Sequence, residues 1–195
     1  MVYASLPGFG LSSRGQEQAY LASCQLASRP LTRVITSPLE RASATADTIA
    51  EKHGQKPIVD ERLTEWSLAE RWAGIAWEEL TNRFPGELEA YLAMPDQILF
   101  AAETLATLSA RMSTAISEQA FGQSNGEIAI VSHQDPIQAA RLSLSGKPLD
   151  QLHIEKPGHA SIITLSPDAA IPWREIEYWE PPQGSQFPPT ATTSS

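Results

Sequence analysis

Apolar and polar positions along this chain alternate between helix-like and strand-like spacing, in short blocks separated by turn residues. Residues 1–12 read as a loop holding Pro7, Gly8 and Gly10, and residues 13–28 place Ala19, Ala22 and Leu26 on one helical face. Residues 31–36, LTRVIT, read as a short strand, after which Ser37-Pro38 opens a predicted helix to about His53 with Pro38 in its first turn. Residues 56–60 read as another strand and lead into an irregular tryptophan-rich stretch. Helical spacing returns over 76–93 and over 103–121, the latter with Leu105, Leu108, Met112 and Ile116 in register. Then come a strand at 127–132, a helix at 136–145 ended by Gly146 and Pro148, and two late strands at 161–165 and 173–179. The remaining 181–195, rich in Pro, Ser and Thr, has too little apolar content to pack and reads as a disordered tail on a single domain spanning 1–180.

Strands separated by helices predict an α/β fold, a three-layer α/β/α sandwich around a mostly parallel sheet. In such a sheet the carboxyl ends of the strands share one edge, and that edge is where these folds place their chemistry. Ser37 to Arg41, Glu65 and His133 all follow predicted strands.

Composition narrows the function. The 195 residues are 42% hydrophobic and 19% charged, ordinary for one globular domain. A net charge of −9 without a Lys/Arg run argues against nucleic acid as a partner. Cys24 is the lone cysteine, so no internal disulfide forms and a reducing compartment is expected. No apolar run approaches the ~20 residues that span a bilayer, and the first dozen residues lack the features of a signal peptide. A cytoplasmic protein without membrane partners is the expectation; the sequence is compatible with a homo-oligomer.

Three residues stand out chemically. Arg41 lies one turn into a helix whose N-terminus faces the shared edge, where free amides and a guanidinium fork suit an anion; the plain alternative is a surface arginine pairing with Glu40 or Asp47. His133 ends the strand EIAIVS, although a histidine beside an apolar strand is often structural. Glu65 precedes Trp66, with Trp72 and Trp77 beyond, so partial desolvation could lift its pKa; the alternative is a solvated carboxylate pairing with Arg62. Asp135, ahead of Pro136, reads as the N-cap of the following helix, and Glu103 as a first-turn charge beside Thr104.

Ser37-Pro38-Leu39-x-Arg41-Ala42-x-x-Thr45-Ala46, Val131-Ser132-His133 and the Glu65 segment 62–66 together resemble the histidine phosphatases, the phosphoglycerate-mutase-like family. The likeness extends over roughly residues 5–166. It implies phosphomonoester chemistry through a phosphohistidine intermediate, without cofactor or metal. Arg41 and His133 would hold the phosphoryl group and Glu65 would protonate the leaving oxygen. Ser5 and Gln134 would contact substrate, a small phosphorylated molecule or inorganic phosphate. A phosphatase fits better than a mutase, since no long insertion offers a lid. Members of the family begin with an apolar strand ending in Arg-His-Gly, which carries the nucleophile; this sequence contains no Arg-His-Gly. The expectation is a domain short of its first central strand, which would lie between 31–36 and 127–132. The leading expectation is that about a dozen or more residues upstream of Met1 carry that strand and the nucleophile, so that the chain is inactive as it stands. The alternatives are that the flanking strands close up on each other, that a partner chain supplies the strand, or that the chain is a catalytically silent phosphate-binding module.

Overall fold

A computed structural model describes residues 1–121, 125–167 and 172–182; the predicted tail falls mostly outside them. Elements follow in the order α1 (Ser13–Leu26), β1 (Leu31–Thr36), α2 (Glu40–Glu51), β2 (Ile58–Val59), α3 (Leu68–Arg71), α4 (Leu80–Arg83), α5 (Glu87–Ala93), α6 (Leu105–Phe121), β3 (Glu127–Val131), α7 (Gln134–Leu144), β4 (Ile162–Ser166) and β5 (Arg174–Trp179). The helical block expected over 76–93 is broken into short pieces by Pro85-Gly86, where Gly86 takes a φ of 82°.

β2, β1 and β3 form a parallel sheet in that order, and β4 pairs with β5 as a separate antiparallel ribbon. Alternate residues of the parallel strands serve two cores. Ile35, Ile128 and Ile130 pack with α6, α7 and the tryptophans Trp66 and Trp72. Val34, Ala129 and Val131 pack with Leu26, Ala46 and Ile49 of α1 and α2. Helices packed against both faces of β1 and β3 give the three layers the sequence predicts, with β2 exposed at the edge.

One expectation is overturned. β1 and β3 are hydrogen-bonded neighbours, with Ile35 opposite Ile130 and Thr36 opposite Val131, so no strand is missing between them. The opening lies on the other side of β3. A cavity of about 1670 Å³ runs along all of β3, from Glu127 to Val131, and along β4 from Ile162 to Leu165. Consecutive residues point to opposite faces of a strand, so a cavity touching every one of them meets its edge. Helical residues from both layers, Leu26 and Ile49 on one side and Met112 and Ile137 on the other, also line it. At its far end Arg29 bridges the two sheets, giving Nε to Glu127 at 2.6 Å and Nη1 to Thr164 at 3.0 Å and to Glu177 at 2.8 Å.

Candidate active site

The carboxyl ends of β1 and β3 stand side by side because the strands pair in register, which places Ser37 against His133 although 96 residues separate them. Ser37 Oγ lies 2.7 Å from His133 Nε2 and accepts from the Leu39 amide at 3.3 Å. A hydroxyl both donates and accepts, and when Ser37 gives its proton to Nε2 the Nδ1 proton of His133 faces the pocket. Burial, then the guanidinium charges of Arg41 and Arg111, push the His133 pKa down to about 3, so the imidazole is neutral.

α2 starts at Glu40, two residues later than the Pro38 start the sequence suggests, with Leu39 as N-cap and no side chain bonded to the first amides. Pro38 therefore lies ahead of the helix, not in its first turn. Arg41, second in the helix, sends Nη2 to within 3.7 Å of Glu65 Oε2. Glu40 does not take Arg41; its Oε1 accepts from the Gly8 amide at 3.2 Å. Glu65 Oε2 is also 3.8 Å from His133 Nδ1. The three residues singled out by sequence thus meet around one point on the cavity wall.

Glu65 does not pair with Arg62, which binds Asp60 and Glu118 instead. Burial first, and the Asp135 carboxylate second, push its pKa up to about 7; the Trp66 amide, Arg41 and Lys156 pull the other way. A carboxyl poised there exchanges a proton at neutral pH.

Two neighbouring roles differ from the sequence expectation. Asp135 is not an N-cap: His133 occupies that position, and α7 runs through Gln134 and Asp135. The Asp135 carboxylate instead accepts from Tyr91 Oη at 3.0 Å and pairs with Lys156, whose Nζ also reaches Tyr91 Oη at 2.9 Å. Glu103 lies before α6 and takes a two-pronged bond from Arg111, at 2.6 and 3.0 Å, while Thr104 Oγ1 accepts from the Thr107 amide.

Arg111 is the positioning residue that sequence reading missed. Its guanidinium also donates to the carbonyls of Arg62, Thr64 and Glu65 at 2.6, 3.0 and 3.1 Å, and Ser132 Oγ donates to Leu63 O at 2.7 Å. These bonds fix the loop that carries Glu65. An arginine one residue before Met112, on a helix otherwise facing the core, was the available signal.

Gln134 lines the cavity and is exposed, but its Nε2 is committed to the Pro157 carbonyl at 2.7 Å. Ser5 is exposed and its amide donates to Glu70 Oε1 at 3.0 Å; Ala4 and Gly8 on either side line the cavity, and Ser5 does not. Among the described residues, no group of three or more His, Cys, Asp and Glu side chains gathers as a metal site, and no helix is long and apolar enough to cross a membrane.

Fold and pocket define a class: an α/β protein with a guanidinium, an imidazole and a carboxyl at the carboxyl ends of paired parallel strands. Within that class the chain belongs to the histidine phosphatase superfamily (branch 1), which matches residues 2–173. It is 34% identical over 161 residues to an uncharacterized protein of Mycobacterium tuberculosis, covering 76% of this chain and 73% of that one. It is 30% identical over 167 residues to a glucosyl-3-phosphoglycerate phosphatase of Mycolicibacterium vanbaalenii, covering 80% and 72%. The solved complex of a mycobacterial glucosyl-3-phosphoglycerate phosphatase with inorganic phosphate superimposes with a TM-score of 0.79 at 25% identity, over 92% of this chain and 90% of that one.

Proposed function

We propose that the pocket binds the phosphoryl group of a small phosphomonoester, and that hydrolysis proceeds through a phosphohistidine whose imidazole comes from outside these 195 residues. The observation that supports this reading is the meeting of Arg41 and His133 on one carboxylate oxygen of Glu65, at 3.7 and 3.8 Å. Arg41 and the open amides at the start of α2 hold the non-bridging oxygens. His133 offers its Nδ1 proton to the same oxygens and, being neutral, does not take theirs. The attacking imidazole forms the P–N bond as the P–O bond to the alcohol breaks, and Glu65 gives its proton to the departing oxygen. A water then attacks phosphorus; Glu65, now a carboxylate, takes its proton, and phosphate leaves the restored imidazole. A relative named as a glucosyl-3-phosphoglycerate phosphatase supports hydrolysis of a small anionic monoester. Asp135 does not repel such a ligand, because Lys156 and Tyr91 already occupy its carboxylate.

The test uses the chain as it is. Vanadate or phosphate binds, and Arg41→Ala weakens binding by about 1–3 kcal/mol, roughly 5- to 150-fold. Turnover of 4-nitrophenyl phosphate is negligible. Unchanged affinity in Arg41→Ala removes the arginine from the site; rates matching a full-length relative, lost in His133→Ala, show that a different nucleophile operates.

A further inference from the structure

The cleft beside β3 continues past the phosphate pocket, where Ala69, Trp77, Tyr3 and Phe9 line it together with Glu65. Trp77 stands out among them. It is 42% exposed, whereas the neighbouring Trp72 is 2% exposed. Trp72 and Tyr91 pack edge-on against its ring, each with ring centres 6.1 Å away, at interplanar angles of 89° and 78°. Both supporting rings are fixed in turn. Trp72 Nε1 donates to Glu87 Oε2 at 3.1 Å, and Tyr91 Oη donates to Asp135 and accepts from Lys156. Among the described residues no acceptor meets the Trp77 Nε1–H. The same rim carries a second aromatic group. Val2 N–H donates to Ile75 O at 2.8 Å and Gly74 N–H to Val2 O at 2.9 Å, which ties the first residues to the loop before Trp77. Tyr3, next to Val2, lies with its ring centre 4.9 Å from that of Phe9.

We infer that Trp77 is the specificity-determining residue for the alcohol half of the substrate, and that this alcohol carries a ring whose flat apolar face lies on the indole. The inference rests on the phosphomonoester reading above and adds the class of leaving group. Its direction follows from Glu65. A group that protonates the departing oxygen stands beside that oxygen, so the alcohol extends from phosphorus along the Glu65 wall of the cleft. Ala69 and Trp77 belong to that wall, and the short side chain of Ala69 leaves the space between them open. Tyr91 connects the two ends, since its ring backs Trp77 and also packs 6.2 Å from Trp66, the residue after Glu65. An indole offers a large apolar face with a hydrogen-bond donor on its edge. Held in place by two fixed rings, it loses little freedom when a ligand ring covers it. Aryl and pyranose rings share the required chemistry, a flat apolar face with polar groups at the edge, and an acyclic alcohol lacks it.

Two pairs of probes, titrated by calorimetry against the chain as it is, test the platform. Benzylphosphonate against methylphosphonate reads an aryl ring, and glucose 6-phosphate against glycerol 3-phosphate reads a pyranose. In at least one pair the ring-bearing probe should bind at least about 5-fold tighter than its acyclic counterpart. That ratio should fall to about 1 in Trp77→Ala and be largely kept in Trp77→Phe. Where Trp77→Ala does not fold, Trp77→Leu keeps an apolar side chain against Trp72 and Tyr91 and should lose the ratio in the same way. The pair that shows the ratio identifies the kind of ring. A residue that serves only the fold would weaken both members of a pair alike, so a ratio that survives the loss of the indole ring overturns the inference. A ratio near 1 in wild type for both pairs overturns it too, while binding of the acyclic probes leaves the phosphate site standing. Failure of all four probes to bind removes the phosphate site itself, and the platform with it.

Discussion

Replacing Glu65 with glutamine isolates the electrostatic cost of the pocket. In the folded protein the carboxyl has a pKa of about 7, against an ordinary 4.5, with burial as the larger cause and Asp135 the second. A raised carboxyl pKa means the folded state holds the proton more tightly than the unfolded chain does. The stabilising contribution is therefore complete below pH 4.5 and is lost as the pH rises through about 7. A gap of roughly 2.5 pH units corresponds to about 3 kcal/mol, which falls to about 2–3 because a fifth of the side chain is exposed. His133 works in the opposite sense: its folded pKa of about 3 lies below the ordinary 6.5, so its contribution is present above pH 6.5 and is lost on acidification. The difference between wild type and Glu65→Gln cancels the histidine and leaves the glutamate. Urea unfolding followed by tryptophan fluorescence at pH 5, 6, 7 and 8 measures it. Wild type should lose about 2 kcal/mol relative to Glu65→Gln between pH 5 and 8, most of it between pH 5 and 7, with the fall centred midway between the two pKa values, near pH 6. A difference that stays flat across that range refutes a buried, proton-holding Glu65, and with it the general acid.

Three further outcomes follow from the same contacts. Asp135→Asn removes the carboxylate that raises the Glu65 pKa and frees the opposing Lys156 charge, so the wild-type minus Glu65→Gln curve, measured with Asp135→Asn present in both proteins, should shift to lower pH; an unmoved midpoint excludes Asp135 as a cause. Arg111→Met leaves Glu103 and three loop carbonyls without their donor, and should cost about 2–4 kcal/mol in urea unfolding at constant m-value; a cost under about 1 kcal/mol shows that the loop holds itself. Gly126, just before β3, has a φ of 89° and a Cβ there would stand 2.8 Å from Pro30 O, so Gly126→Ala should lose about 1–3 kcal/mol of stability, read as a lower melting temperature.

What the sequence revealed depended on how local the cause was. The strand at 31–36 has the bounds expected of it, because LTRVIT, rich in β-branched residues, is closed by Pro30 and Ser37-Pro38. The axis of α6 was likewise visible in Leu105, Leu108 and Met112. Arg41, Glu65 and His133 could be picked out because each follows a strand, and parallel strands bring their ends together whatever their separation in the chain. Asp135 was misread because Asp-Pro ahead of a helix is a sound local capping signal; its actual partners, Tyr91 and Lys156, lie 44 residues before it and in the loop ahead of β4, and no local pattern announces them. Arg111 escaped for the same reason, its carbonyl partners lying 46 to 49 residues away. The order of strands is also non-local. Periodicity identifies a buried strand but not its neighbour, and so the open edge was expected on the wrong side of β3.

That displacement of the opening changes what the pocket depends on. With a gap between β1 and β3, Ser37 and His133 would stand on separate sheets and the pocket would exist only after a strand had joined them. Instead β1 and β3 bond directly, Ser37 Oγ reaches His133 across that pairing, and Arg41 rises from the helix that follows β1. Glu65 is held from the same side, by Arg111 on its own carbonyl and by Ser132 on the neighbouring Leu63. These contacts, which aim the guanidinium, imidazole and carboxyl, are made on the paired side of the sheet, and the cleft lies beyond it. Anion capture then needs only the pairing of β1 with β3 and the loop that carries Glu65.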